Sequence, residues 1–157
     1  MHLHNCCFTG HRIIPARLLP QIRERLAEEA EGLIRKGVTG FYCGGALGFD
    51  TLAAETVLTL REKYPQIRLN LLLPCRDQAA RWREADRFRY EVIKTRADET
   101  RYITDRYQPG CMLRRNQMLV EHSAYCIYYL NDPKSGTAQT VALARKAGLV
   151  LLPILTT

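Results

Sequence analysis

The sequence has no apolar run near the roughly 18 residues that a membrane span needs. Its longest stretches, such as Leu149 to Leu155, are short and broken by Pro153. No membrane association is expected. The opening residues, Met1-His-Leu-His-Asn-Cys-Cys-Phe8, carry neither a basic leader nor an apolar segment with a small-residue cleavage site, so a cytoplasmic location is the expectation. The six cysteines, Cys6, Cys7, Cys43, Cys75, Cys111 and Cys126, form no Cys-x-x-Cys pair. That excludes the common zinc and dithiol motifs and leaves buried thiols in a reducing compartment. His2, His4, Cys6 and Cys7 are close in sequence, but adjacent cysteines in a strand point to opposite faces. Neither a metal site nor a required cofactor is expected. Internal repeats and low-complexity segments are also missing.

What the 157 residues do contain is enough apolar material, 46% against 25% charged, for one core, and a single domain over residues 1–157 is expected. The net charge is +7, with the larger part of the excess in residues 101–157. Such a balance favours phosphates, nucleotides or nucleic acid as partners without choosing among them.

Short apolar runs alternate with longer periodic segments, the pattern of a mainly parallel sheet covered by helices. Strands are expected at Leu3–Thr9, Gly40–Cys43, Ile67–Leu73, Arg101–Thr104, Ala124–Leu130 and Leu149–Ile154. A first helix should start near Pro20, bury Ile22, Leu26, Ala30 and Leu33, and stop at Gly37. Others fit Thr51–Lys63, Arg81–Arg96, Met112–Glu121 and Thr137–Lys146. In the third, Trp82, Ala85, Phe88 and Val92 form the expected apolar stripe, and its many arginines read as a solvated face. Tyr125, Tyr128 and Tyr129 read as packing residues of one strand.

Three polar, glycine-containing turns each follow an expected strand and precede an expected helix: Thr9-Gly10-His11-Arg12, Gly44-Gly45-Ala46-Leu47-Gly48-Phe49-Asp50 and Ser135-Gly136-Thr137. In a parallel sheet such turns gather at the carboxyl ends of the strands, where helix N-termini offer free N–H groups to an anion. Each also has the plainer reading of a tight turn. Asp50 is the natural N-cap of the second helix as well as a candidate ligand contact, and Arg12, Arg114 and Arg115 are candidate anion clamps or solvated cations. Arg115 and Asn116 diverge by about 100° on a helix, so one of the pair is expected to aim at a ligand. A nicotinamide dinucleotide is disfavoured, because Cys43 stands where the first fingerprint glycine should be and no acid closes the third strand. No Lys-Ser or Lys-Thr follows the glycines, so the Walker pattern is absent.

At these turns the sequence resembles the YpsA-like branch of the SLOG superfamily, the Rossmann-like group that includes DNA-processing protein A and the LOG phosphoribohydrolases. The resemblance runs almost end to end through Gly10-His-Arg12, Gly44 to Asp50, Tyr64-Pro65, Leu73-Pro74, Gln78 with Trp82, Arg115-Asn116, Ser123, Ser135-Gly-Thr137, Thr140 and Ala144. It implies a Rossmann-like three-layer α/β sandwich with five to seven strands and helices on both faces. It also implies a site for a nucleotide or nucleotide-derived small molecule, cradled by Thr9, Gly10, Arg12, Gly44, Gly45, Gly48, Ser135, Gly136 and Thr137. Asp50 and Asp132 are the expected partners of a sugar or base, and a sensor or regulatory role follows.

Two relatives imply alternatives. LOG enzymes cleave a nucleoside monophosphate at its N-glycosidic bond with an arginine, matched here by Arg115, and glutamates whose positions hold Gln139 and Thr140. Asn116 replaces the lysine of their Arg-Lys pair. Such chemistry would need Arg115 for phosphate and Asp50 or Asp132 for acid–base work, since an amide or hydroxyl cannot stabilise a cationic sugar. DNA-processing protein A shares the Gly-x-Asp turn, the Arg-Asn helix start and the Ser-Gly turn, and implies single-stranded nucleic acid as a partner. A homo-oligomer built on Met112, Leu113, Met118 and Leu119 of the fourth helix competes with packing of the same residues inside the chain.

Overall fold

The computed structural model describes residues 2–155. Six strands form one all-parallel sheet: β1 (Asn5–Gly10), β2 (Gly40–Cys43), β3 (Arg68–Cys75), β4 (Glu99–Thr104), β5 (Tyr125–Tyr129) and β6 (Val150–Pro153), in the order β4-β3-β2-β1-β5-β6. Five helices make the crossovers: α1 (Leu19–Arg35, after a 3-10 turn at Ala16–Leu18), α2 (Phe49–Lys63), α3 (Glu84–Arg96), α4 (Cys111–Glu121) and α5 (Gly136–Lys146). This is the expected Rossmann-like α/β architecture. The chain builds outward from β1 through β2 to β4, then returns to place β5 on the other side of β1. The strand order reverses there, which opens a crevice beyond the carboxyl ends of β1 and β5.

Period-two alternation divides the core between the two faces. Cys6, Phe8, Phe41, Cys43, Leu69, Leu71, Leu73 and Tyr129 pack with α1, α2 and α3, whereas Cys7, Leu72 and Cys126 pack with α4 and α5. Tyr125 and Tyr129 share one face and Tyr128 takes the other, all as packing residues. β3 is buried at every position after Arg68, as its nearly continuous apolar sequence requires of a strand covered on both faces. β4 lies at the sheet edge, where Glu99 and Arg101 stay exposed and discourage further strand pairing.

α1 follows its sequence signals closely. Pro20 sits in the first turn, and Ile22, Leu26, Ala30, Leu33 and Ile34 are buried. Gly37, at φ +103°, ends the helix while its N–H donates to Ile34 and that of Val38 to Leu33.

The third helix departs from its expected form. Residues 77–82 are consumed by tight turns, with Ala80 N–H donating to Asp77 and Trp82 N–H to Ala79, so the helix begins at Glu84 and Trp82 lies outside it. Its core face is Tyr90 and Ile93; Ala85, Phe88 and Val92 are exposed, Phe88 to 69%. Polar contacts accompany this rotation. Arg89 clasps Glu55 of α2 through two bonds of 3.0 and 2.6 Å, and the Tyr90 hydroxyl accepts from Gln78 at 3.2 Å. Tyr90 and Ile93, one turn apart, supply the apolar burial of the helix, and the partly exposed ion pair adds little to it.

On α4, Leu119 is buried and Met118 packs on the sheet, so packing inside the chain accounts for them, while Leu113 remains 46% exposed. No described helix is long and apolar enough to cross a membrane.

Candidate functional site

At the crevice beside β1 lies a cleft of about 300 Å³. Thr9, Gly10, His11 and Arg12 enter from β1 and its following loop, Ala46 and Asp50 from the turn into α2, Met112, Arg115 and Asn116 from α4, and Ser135, Gly136 and Thr137 from the start of α5. Turns that are far apart in sequence meet here because each follows a strand of one parallel sheet.

Asp50 is not the N-cap of α2. Gly48 occupies that position, and Asp50 is the second residue inside the helix, buried, with its carboxylate accepting the Ala46 N–H at 3.1 Å. A cap must sit just outside the helix. Phe49 N–H donating to the His11 carbonyl at 3.0 Å accompanies a helix start two residues earlier than the sequence suggests, at Phe49 and not Thr51. Burial pushes the Asp50 carboxyl from its ordinary 3.8 up to about 6, against the opposing pull of Arg115, the Ala46 N–H and Arg12.

Arg115 is 5% exposed. Its guanidinium donates to the Gly44 carbonyl and, through Nε, to Asn116 Oδ1 at 2.7 Å. Burial lowers its pKa, and the charge of Asp50 resists that shift. Although adjacent helical side chains diverge, both Arg115 and Asn116 line the cleft, because Asn116 folds back to accept from its neighbour. Arg114 instead faces outward, paired with Glu121 at 2.8 Å.

The glycines of the second turn do not line the cleft. A Cβ at Gly44 would collide with the Arg115 guanidinium, one at Gly45 (φ +70°) with Leu73, and one at Gly48 (φ +76°) with the Arg12 carbonyl. These positions let the protein's own groups approach each other, so a larger side chain at Gly45 tests the fold before it tests a ligand. Gly10 is close-packed in the same way against Phe49. At Gly136, by contrast, a Cβ would meet nothing within 4 Å.

Ser135 caps α5, accepting from Ala138 N–H at 3.1 Å and donating to the Asp132 carbonyl at 2.7 Å. The N–H groups of Gly136 and Thr137, in the first turn, have no carbonyl within the helix. Asp132 lies outside the cleft lining, its carboxylate accepting from Lys134 N–H at 3.0 Å within an exposed loop. Thr140 gives its hydroxyl to the Gly136 carbonyl at 3.1 Å, and neither it nor Gln139 lines the cleft.

Sequence reasoning passed over His11 as a separate feature. Its Nε2 accepts the Asn131 N–H at 2.8 Å, which joins the β1 and β5 loops and places the ring proton on Nδ1. Burial lowers its pKa, with Asp132 opposing, so the ring is neutral at pH 7. Its position between Gly10 and Arg12, within the first glycine turn, was the available signal. Among the described residues, no cluster of three or more His, Cys, Asp or Glu could hold a metal ion.

Residues 16–147 match the YpsA family model, described as the YspA SLOG family. The chain belongs to the YpsA family of SLOG proteins. A UPF0398 protein of Halalkalibacterium halodurans is 33% identical over 123 residues, covering 77% of this chain and 65% of that protein. Another, from Bacillus thuringiensis, is 28% identical over 127 residues, covering 80% and 69%. The SLOG chain thus matches about two thirds of the length of these curated relatives. Among solved structures, DNA processing protein A from Helicobacter pylori, described for its single-stranded DNA binding mode, superposes with a TM-score of 0.67 at 23% identity, over 97% of this chain and 65% of that one. The Streptococcus pneumoniae DNA processing protein A gives 0.67 at 14% identity, over 99% and 51%. These likenesses establish the shared fold.

Proposed function

We propose that the cleft binds a nucleotide or nucleotide-derived phosphate ligand and that the domain acts as a sensor or regulatory module. One arrangement carries this reading. At the reversal point of a parallel sheet, Arg12, the buried Arg115 and the first-turn N–H groups of Gly136 and Thr137 converge on a single cleft beside open space at Gly136. Guanidinium forks and first-turn N–H groups are the donors that phosphate oxygens accept from. Thr9, Asn116, Ser135 and Thr137 add polar groups around them.

Thermal shift and titration calorimetry with ribose 5-phosphate, nucleoside mono-, di- and triphosphates and ADP-ribose test the proposal. A ligand at about 100 times its Kd adds roughly 2.7 kcal/mol of stability. Arg12→Ala and Thr137→Val should each weaken binding at least tenfold while the variants stay folded. Unchanged affinity in both, or silence across the whole panel, would refute it.

Asp50 favours a second reading, N-glycosidase chemistry on a nucleoside phosphate. It is the one carboxylate among the cleft-lining residues, and a pKa of about 6 suits general acid–base work near neutrality. Release of free base and ribose phosphate, detected chromatographically and lost in Asp50→Asn, would support it. The shared fold with a DNA processing protein A described for single-stranded DNA binding supports the third reading, a nucleic-acid strand as ligand. That reading requires oligonucleotide affinity that falls steeply with salt.

A further inference from the structure

A second cavity, of about 470 Å³, adjoins the cleft and shares Arg12 and Met112 with it. Its walls are the loop after β3, with Gln78, Arg81 and Trp82, and the loop after β4, with Tyr107; Cys75 closes its inner end. Tyr107 N–H donates to Asp77 Oδ1 at 3.0 Å, which ties the two loops together. Trp82 is held edge-on against Tyr90, ring centroids 5.0 Å apart, while Tyr107 is 63% exposed.

Gln78 is the informative residue. Its Nε2 donates to the Gly45 carbonyl at 3.3 Å and to the Tyr90 hydroxyl at 3.2 Å, and this pairing fixes which end of the amide is nitrogen. Its Oε1 is buried without any hydrogen-bond partner. A buried acceptor left unsatisfied is costly; Oε1 is closed to solvent as it stands, and a small shift of the Gln78 side chain, which lines the cavity, would let a ligand N–H donor reach it and remove that cost. Two aromatic rings beside an orphaned acceptor, one shared arginine away from a phosphate cleft, match the chemistry of a heteroaromatic base with an exocyclic amino group.

We infer that this cavity is the base subsite, so that the ligand is a nucleoside 5′-phosphate unit carrying an amino-substituted base, with its phosphate in the cleft and its base against Trp82, Tyr107 and Gln78. The inference rests on the phosphate reading of the cleft and deepens it. The same unit occurs in a free nucleotide and in a single strand of nucleic acid.

Calorimetry with ribose 5-phosphate, AMP, IMP, oligo-dA and oligo-dT tests it. AMP should bind at least about tenfold tighter than ribose 5-phosphate, in line with the effect of stacking one base on aromatic side chains. It should also exceed IMP, whose carbonyl replaces the amino group. Tyr107→Ala, at an exposed ring, and Gln78→Met should each erase most of the AMP advantage and leave ribose 5-phosphate affinity unchanged. If AMP is silent but oligo-dA binds above oligo-dT and Tyr107→Ala abolishes the difference, the subsite stands with a strand as its source. Equal affinities for AMP and ribose 5-phosphate, with no oligo-dA preference, would overturn the base subsite and leave the phosphate cleft standing. Failure of every phosphate compound to bind would overturn both.

Discussion

Replacing Asp50 by Asn removes an ionisable group from a site that favours its neutral form. The rise of the Asp50 pKa from 3.8 to about 6 means that the folded protein holds this proton more tightly than the unfolded chain does. Stability contributed by the protonated carboxyl is therefore complete below pH 3.8 and lost as pH rises through about 6. Above that point the ionised group costs the native state about 3 kcal/mol relative to its neutral form. Asn copies the shape of the neutral carboxyl, and its Oδ1 can keep accepting the Ala46 N–H. Asp50→Asn should thus be more stable than wild type above pH 7 by up to about 3 kcal/mol, a Tm gain of roughly 6–12 °C for a domain of this size. The extra N–H donors of Asn bring the gain below that ceiling where they lack partners. Near pH 4 the two proteins should converge, because other titrating groups cancel in the difference. Urea melts of both proteins from pH 4 to pH 8 provide the assay. A stability difference that is flat across this range, or a variant destabilised at pH 7.5, would show that Asp50 ionises as an ordinary carboxylate and that the balance of burial against Arg115 is wrongly drawn.

Two further outcomes test the roles assigned to glycine and to α3. Gly48→Ala should cost at least about 2 kcal/mol in urea melts, since φ is +76° and the new methyl group meets the Arg12 carbonyl, whereas Gly136→Ala should stay within about 1 kcal/mol of wild type. Equal effects at the two sites would contradict the packing described here. Phe88→Ser should change stability by no more than about 0.5 kcal/mol while Ile93→Ala costs about 2–4 kcal/mol; the reverse order would mean that α3 is rotated.

The architecture was legible because its signals are local. Apolar runs of strand length, Pro20 and Gly37 around α1, and a Ser-Gly turn before α5 each depend on a few neighbouring residues, and the structure has strands and helices where those signals stand. The rotation of α3 was not legible. The face it buries, Tyr90 and Ile93, meets partners distant in sequence, and its polar contacts are to Glu55, 34 residues before Arg89, and to Gln78 in a different loop. For the same reason Asp50 looked like a cap: the His11 carbonyl that accompanies the earlier start of α2 belongs to another strand's loop.

The glycines show the division most clearly. From sequence, Gly10, Gly44, Gly45, Gly48 and Gly136 were equivalent offers of backbone to a ligand. The fold separates them, because a glycine is needed wherever two parts of the chain come close, and only the tertiary arrangement says which part comes close. Phe49, Arg115, Leu73 and the Arg12 backbone fill the space at the first four, and nothing fills it at Gly136. Local pattern therefore determined that this chain is a parallel α/β domain with its polar turns gathered at one end of the sheet. Which of those residues face the cleft, and that Asp50 and Arg115 share a buried site, was decided by long-range packing, since burial and its electrostatic consequences belong to the assembled core and not to any one segment.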